Sequence, residues 1–212
     1  MTKATKALKA ALEEFHCAGL SQLLFDNKSE VACNQRLCVA INKSQKEYLA
    51  RVEYTNKGDS VSRADLVMID RKEGDVVLCA EAKTLTATNV MYPTKGEKNK
   101  AKKGEYHPFF DNMKKNITNQ KKFKGDKIAI MWIYGWDKLP EEPEAHLREK
   151  YFSLRSRIKR EGEFTKKKVK DKIKEVFEDL DLIRIKQKTL KDEDEHEGYK
   201  AYLIVTIGEV NK

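Results

Sequence analysis

Cysteine, proline and histidine are all scarce in this 212-residue chain, with four of each. The cysteines (Cys17, Cys33, Cys38, Cys79) sit in apolar contexts and lack CxxC spacing. That pattern speaks against a disulfide frame or a zinc site, and for small buried hydrophobes in a reducing compartment, so a cytoplasmic address is expected. His16, His107, His146 and His196 are scattered and complete no HExxH motif, which disfavours zinc hydrolysis. Neither GxxxxGK[ST] nor GxGxxG occurs, so ATP- or NAD-driven chemistry has no support. No apolar run approaches the roughly 20 residues that a bilayer requires. The opening "MTKATKALKAALEEF" interrupts its apolar positions with lysine and glutamate, unlike a signal peptide. No membrane partner is expected, and there is no internal repeat or long low-complexity segment.

What is present is a core and a charge imbalance. Hydrophobic residues make up 40% of the chain, enough for a packed domain. Lysine and arginine number 43 against 34 acidic residues, a formal net charge of +9. Such an excess suits a polyanion, because neutralising each phosphate releases counterions. A merely lysine-rich soluble surface explains the composition equally well.

Along the chain, Leu8, Ala11, Leu12 and Phe15, then Leu20, Leu23 and Leu24, have helical spacing, with a break expected at Gly19. "SEVACNQRLCVAINKS" (29–44) predicts a second helix with Val31, Leu37, Cys38 and Ile41 on its apolar face. "EYLARVEYT" (47–55) alternates as a strand. "ADLVMID" and "DVVLCAEAKT", joined by "RKEG", predict an antiparallel hairpin. "YPTKGEKNKAKKGEYHP" (92–108) is a basic loop carrying Lys95, Lys98, Lys100, Lys102 and Lys103. A helix from Pro108, with Phe110, Met113 and Ile117 inward, leads to the most apolar strand, "DKIAIMWIYGW". A polar helical region ending near Asp179 and two closing strands, "DLIRIKQKTL" and "GYKAYLIVTIGEV", complete the order. This succession predicts an α/β fold with a mixed central β-sheet flanked by helices.

The chemistry lies at the end of the hairpin. The run "VVLCAEAKT" avoids water until Glu81 and Lys83. Residues two apart on a strand share a face and lie about 6.6 Å apart. Antiparallel pairing carries Asp65, at the start of the partner strand, towards them. Two carboxylates at close range resist joint ionisation unless a cation separates them. Hard oxygen donors suit magnesium, which binds through one or two carboxylates plus substrate phosphate. Such an ion polarises a phosphoryl oxygen and acidifies bound water, while a neighbouring lysine positions or deprotonates that water. The grouping therefore points to phosphodiester hydrolysis.

Asp65 in "SRADLVMID" and "EAK" at 81–83, set sixteen residues apart, resemble the motif of the PD-(D/E)XK nuclease superfamily. This is the superfamily of type II restriction endonucleases, resolvases and repair nucleases. The helical glutamate of many members matches Glu30 in "SEVACNQRL". Ala64 stands where the superfamily's name has proline, a residue often absent among members. The likeness covers about 20–135 as a restriction-endonuclease-like core, within a single domain of residues 1–212. Residues 137–212 then form a basic extension suited to target reading. The resemblance implies a magnesium-dependent endonuclease acting on double-stranded DNA, of restriction type, with a junction-resolving or repair nuclease as the alternative. It implies Asp65, Glu81 and the Ala82 carbonyl as metal ligands and Lys83 as the residue that orients water. Glu30 assists in this scheme. The homodimers common among such enzymes give two strands two active sites.

Each residue also has a plainer reading. Glu81 and Lys83 can be a wet strand end with cross-strand ion pairs, and Asp65 can simply begin a strand. A first-turn glutamate such as Glu30 is favoured by the helix dipole anyway, so ligand and capping roles stand level. Glu53 can face the same cleft or water, and Gln120 can orient water or sit on an ordinary polar face. For the five loop lysines, phosphate binding is the better reading. Tyr92, Tyr106, Trp132 and Trp136 can stack on bases, though Trp132 in "AIMWIY" belongs to a core. A protein that binds nucleic acid without cutting it is the rival from another class.

Overall fold

The computed structural model describes residues 1–16, 19, 29–55, 63–92, 108–119, 123, 125–138, 164–191, 198 and 200–210. Its elements are α1 (Lys3–Glu14), α2 (Ser29–Ser44), β1 (Tyr48–Thr55), β2 (Arg63–Asp70), β3 (Val76–Thr86), α3 (Ala87–Met91), α4 (Pro108–Asn119), β4 (Asp126–Lys138), α5 (Lys166–Asp179), β5 (Leu182–Lys191) and β6 (Lys200–Val210). The strands form one six-stranded sheet in the order β1-β2-β3-β4-β6-β5. β3 and β4 run parallel, and every other neighbouring pair is antiparallel. The sheet is mixed because α3 and α4 carry the chain from the end of β3 back to the start of β4. A parallel connection needs such a crossover, whereas a tight turn serves an antiparallel one.

Alternation along the central strands divides the core in two. On β4, Ile128, Ile130, Trp132 and Tyr134 pack with α1 and α2, while Ala129, Met131 and Ile133 pack with α3, α4 and α5. A strand buried on both faces reads as a continuous apolar run, which is why "IAIMWIY" shows no polar alternation. α1 begins where the Thr2 hydroxyl accepts the Thr5 N–H, and its apolar residues at 4, 7, 8, 11 and 12 form one buried stripe. On α2, Cys33, Leu37 and Ile41 face the sheet. Its buried Asn34 accepts the Trp132 indole N–H at 2.9 Å, so the one polar atom of that ring is satisfied in the core. Gly125 has φ +112°, and a Cβ there would overlap the Val77 carbonyl, so only glycine can bring the chain into β4 this close to β3.

The expected α/β arrangement, the hairpin and the helix over 29–44 are present. α3 was not expected. It is built on a capping box, in which the Thr86 hydroxyl accepts the Asn89 N–H and the Asn89 side chain accepts from the Thr86 backbone. Gly19 has the left-handed backbone (φ +63°) suited to a break, while the residues expected to form a second short helix after it, Leu20 to Leu24, lie outside the described set. No disulfide joins Cys33, Cys38 and Cys79, of which Cys33 and Cys79 are buried and Cys38 half-buried. Among the described residues no helix is long and apolar enough to cross a membrane.

Candidate active site

β2 and β3 pair from Ile69↔Val76 to Leu66↔Ala80, and there their registered pairing ends. β3 continues beside β4 as far as Thr86↔Tyr134. The N–H groups of Ala82 and Thr84, which face the side β2 has left, would then lack strand partners inside a partly buried site. Backbone donors in that position need acceptors. Two carboxylates supply them. Asp65 Oδ2 accepts from Ala82 N, and Glu30 Oε2 accepts from Thr84 N, each at 2.8 Å. Asp65 comes from the diverging strand itself, and Glu30 from the first turn of α2.

Glu81 and Lys83 project together from the α4 side of β3, and the Lys83 ammonium sits where the acids meet. Its Nζ lies 2.6 Å from the Ala82 carbonyl, 2.9 Å from Glu81 Oε1, 3.6 Å from Glu30 Oε1 and 3.8 Å from Asp65 Oδ2. Glu81 is the most enclosed of the acids, its side chain 5% exposed, against 20% for Asp65 and 32% for Glu30. The same Glu81 oxygen also accepts the Asn116 amide from α4 at 2.8 Å.

The electrostatics follow from enclosing like charges. Burial raises the Glu81 pKa and the nearby Asp65 charge adds to the effect, against the pull of the Asn116 hydrogen bond and of Lys83. Burial likewise raises that of Glu30, with Lys83 and the Thr84 N–H opposing. At Lys83 burial works against the ammonium, but Glu30, Glu81 and Asp65 outweigh it and its pKa is raised. The lysine is a firm cation beside two glutamates, Glu30 and Glu81, whose burial favours the protonated form. Three carboxylates facing one ammonium still carry excess negative charge when ionised, so the site favours further positive charge.

The donor set fits magnesium in kind: two carboxylates and a main-chain carbonyl converge on one point, leaving the remaining positions to water and substrate oxygen. Among the described residues, no group of three or more His, Cys, Asp or Glu side chains is arranged to hold a metal ion. Each acid is instead committed to its own neighbour: Asp65 to Ala82 N, Glu30 to Thr84 N, Glu81 to Asn116 and Lys83.

Of the residues singled out from sequence, Glu30, Asp65, Glu81, Ala82 and Lys83 come together. Glu53 does not join them: it sits on β1 with a left-handed backbone (φ +49°) and pairs with Arg63 in solvent. Trp132 and Trp136 are buried in the core, so neither is available to stack on a base. Tyr92 meets Phe164 edge to face. Lys95, Lys98, Lys100, Lys102, Lys103, Tyr106 and Gln120 lie outside the described residues. Asn116 is the member that sequence reasoning missed. Its signal is its place beside buried Met113 and Ile117 on the helix that crosses over the Glu81 strand.

The chain matches no protein-family model, no curated protein and no solved structure.

Proposed function

We propose that the protein is a magnesium-dependent endonuclease that hydrolyses DNA phosphodiester bonds, with a restriction-endonuclease-like core of the PD-(D/E)XK kind. One observation carries the reading: the Lys83 ammonium stands within 3.8 Å of the carboxylates of Glu30, Asp65 and Glu81 and touches the Ala82 carbonyl. Asp65, Glu81 and the Ala82 carbonyl would hold the metal. When bound, the metal supplies electrophilic activation of a phosphoryl oxygen and an acidified water. Lys83 orients that water or offsets charge on the phosphoryl group, Glu30 holds the end of β3 and Lys83 in place, and Asn116 fixes the Glu81 carboxylate. The net charge of +9 supports a polyanionic substrate. Within this class our reading is a restriction-type enzyme acting as a homodimer on double-stranded DNA. A junction-resolving or repair nuclease is the alternative.

A second reading draws on a specific feature. Asp65 and Glu30 both satisfy backbone donors that β2 has left behind, so both have an architectural use without catalysis. In that case the protein binds nucleic acid and does not cut it. Supercoiled plasmid incubated with magnesium, with chelator, and with a Lys83→Ala variant separates the two. Metal-dependent nicking lost in the variant supports the nuclease, and discrete fragments in place of a smear support the restriction type. Salt-sensitive binding with no nicking in any arm contradicts the nuclease and supports the binding protein.

A further inference from the structure

The position of Lys83 bears on how a metal enters. A lysine that only steers water would stand beside the metal ligands. Here its Nζ turns back along the strand to the carbonyl of the preceding residue and stands at the point of convergence itself. Every oxygen assigned to the metal already faces it: the Ala82 carbonyl at 2.6 Å, Glu81 Oε1 at 2.9 Å and Asp65 Oδ2 at 3.8 Å. An ion held by the same three oxygens at about 2.1 Å would need the same space. The two cations would also repel each other strongly at that separation.

We infer that the Lys83 ammonium is a resident counter-ion of the site and that a divalent ion binds by displacing it. The inference rests on the proposed metal site. In the metal-free protein the ammonium draws Glu30, Asp65 and Glu81 into their working geometry and lowers the cost of crowding them. On metal entry it withdraws from the Ala82 carbonyl and Glu81, while Asn116 keeps its hold on Glu81 Oε1. The arrangement makes metal binding an exchange of one cation for another, with wild-type affinity reduced by the work of moving the first.

The direct test is Mn2+ binding by calorimetry, without nucleic acid, to the wild type, Lys83→Met, Lys83→Ala and Asp65→Asn. Methionine keeps an unbranched stem without charge, and alanine guards against a packing defect peculiar to it. Losing a unit positive charge at this range is expected to tighten Mn2+ binding about tenfold or more in the Lys83 variants. In chelator those variants melt below the wild type, and saturating Mn2+ raises their Tm more than it raises that of the wild type. Equal or weaker Mn2+ binding in the variants, with the wild type binding, overturns the exchange and leaves the nuclease reading standing. No Mn2+ binding by any form overturns both. Binding that survives Asp65→Asn lies elsewhere and also overturns the inference. Should neither Lys83 variant fold, the Lys83 side-chain NMR resonance in the wild type decides. A shift during Mg2+ titration is expected, and an unmoved resonance alongside measured Mg2+ binding overturns the exchange.

Discussion

Two buried acids lie on the central strand pair and are held in opposite ways. Asp126, at the start of β4 beside Leu78, is 3% exposed and accepts hydrogen bonds from the hydroxyls of Thr2 and Thr5, the latter at 2.5 Å. Its partners are neutral donors from α1, and the result is a tether between the first helix and the sheet. Glu81, further along β3, is enclosed with two more carboxylates, an ammonium and an amide. Hydroxyl donors resolve the first acid's charge locally. The second cluster remains over-supplied with negative charge: capping the Ala82 and Thr84 N–H groups accounts for Asp65 and Glu30, but no backbone donor accounts for Glu81. Architecture explains Asp126, whereas the Glu81 cluster is the one for which we propose a reaction.

The sharpest way to break this contrast is at Lys83. We expect Lys83→Ala to reduce magnesium-dependent plasmid nicking by about 10²–10⁴-fold, the range for a positioned proton-transfer or water-orienting group. Asp126→Ala should leave nicking within about twofold per folded molecule, since its hydrogen bonds support α1 and not the site. Comparable losses from both variants would erase the distinction.

Asn116 probes the same boundary from the helix side. Asn116→Ala should weaken metal dependence or activity by about 10–100-fold, as removal of a ligand's orienting partner does. Because Asn116 is exposed, Tm should change little. A large Tm loss with unchanged metal dependence would mark it as structural.

At Asp126 the expected effect is on stability. Alanine there leaves the buried Thr5 hydroxyl without its acceptor, at a cost of about 1–3 kcal/mol by denaturant unfolding. A variant as stable as the wild type would show that α1 is held without this tether.

The smallest effect is a pH slope. Glu30 and Glu81 have folded pKa values raised above the ordinary 4.5, chiefly by burial. As pH rises from 4.5 towards those values, the folded chain retains protons that the unfolded chain has released. Their contribution to stability therefore falls across that window and is greatest on its acid side. Glu81→Gln removes one share, so its Tm should fall less than the wild type's in melts stepped upward from pH 4.5. Parallel Tm profiles would refute the raised Glu81 value.

Much of this was legible in the sequence where local pattern and tertiary role coincide. The helix over 29–44 announces itself by the spacing of Leu37 and Ile41, and the hairpin by two apolar runs about a short polar link. Asp65, Glu81 and Lys83 could be brought together because antiparallel pairing and a period of two settle their side and end. What could not be read is non-local. The insertion of β6 between β4 and β5 depends on contacts across some seventy residues, for which no short-range pattern exists. Glu30 could be matched to a motif, but its hold on the Thr84 N–H follows from β2 leaving β3 at Ala80, which strand patterns do not mark. Asn116 looks like any polar residue at the rim of an apolar helix face until α4 is laid over β3.

Crystals soaked in Mn2+ and measured for its anomalous scattering test the central claim most directly. The account expects one strong peak about 2.1 Å from oxygens of Asp65, Glu81 and the Ala82 carbonyl, with the Lys83 ammonium moved off that carbonyl. A map with no peak at saturating Mn2+, and Lys83 still bridging Ala82 and Glu81, would contradict it.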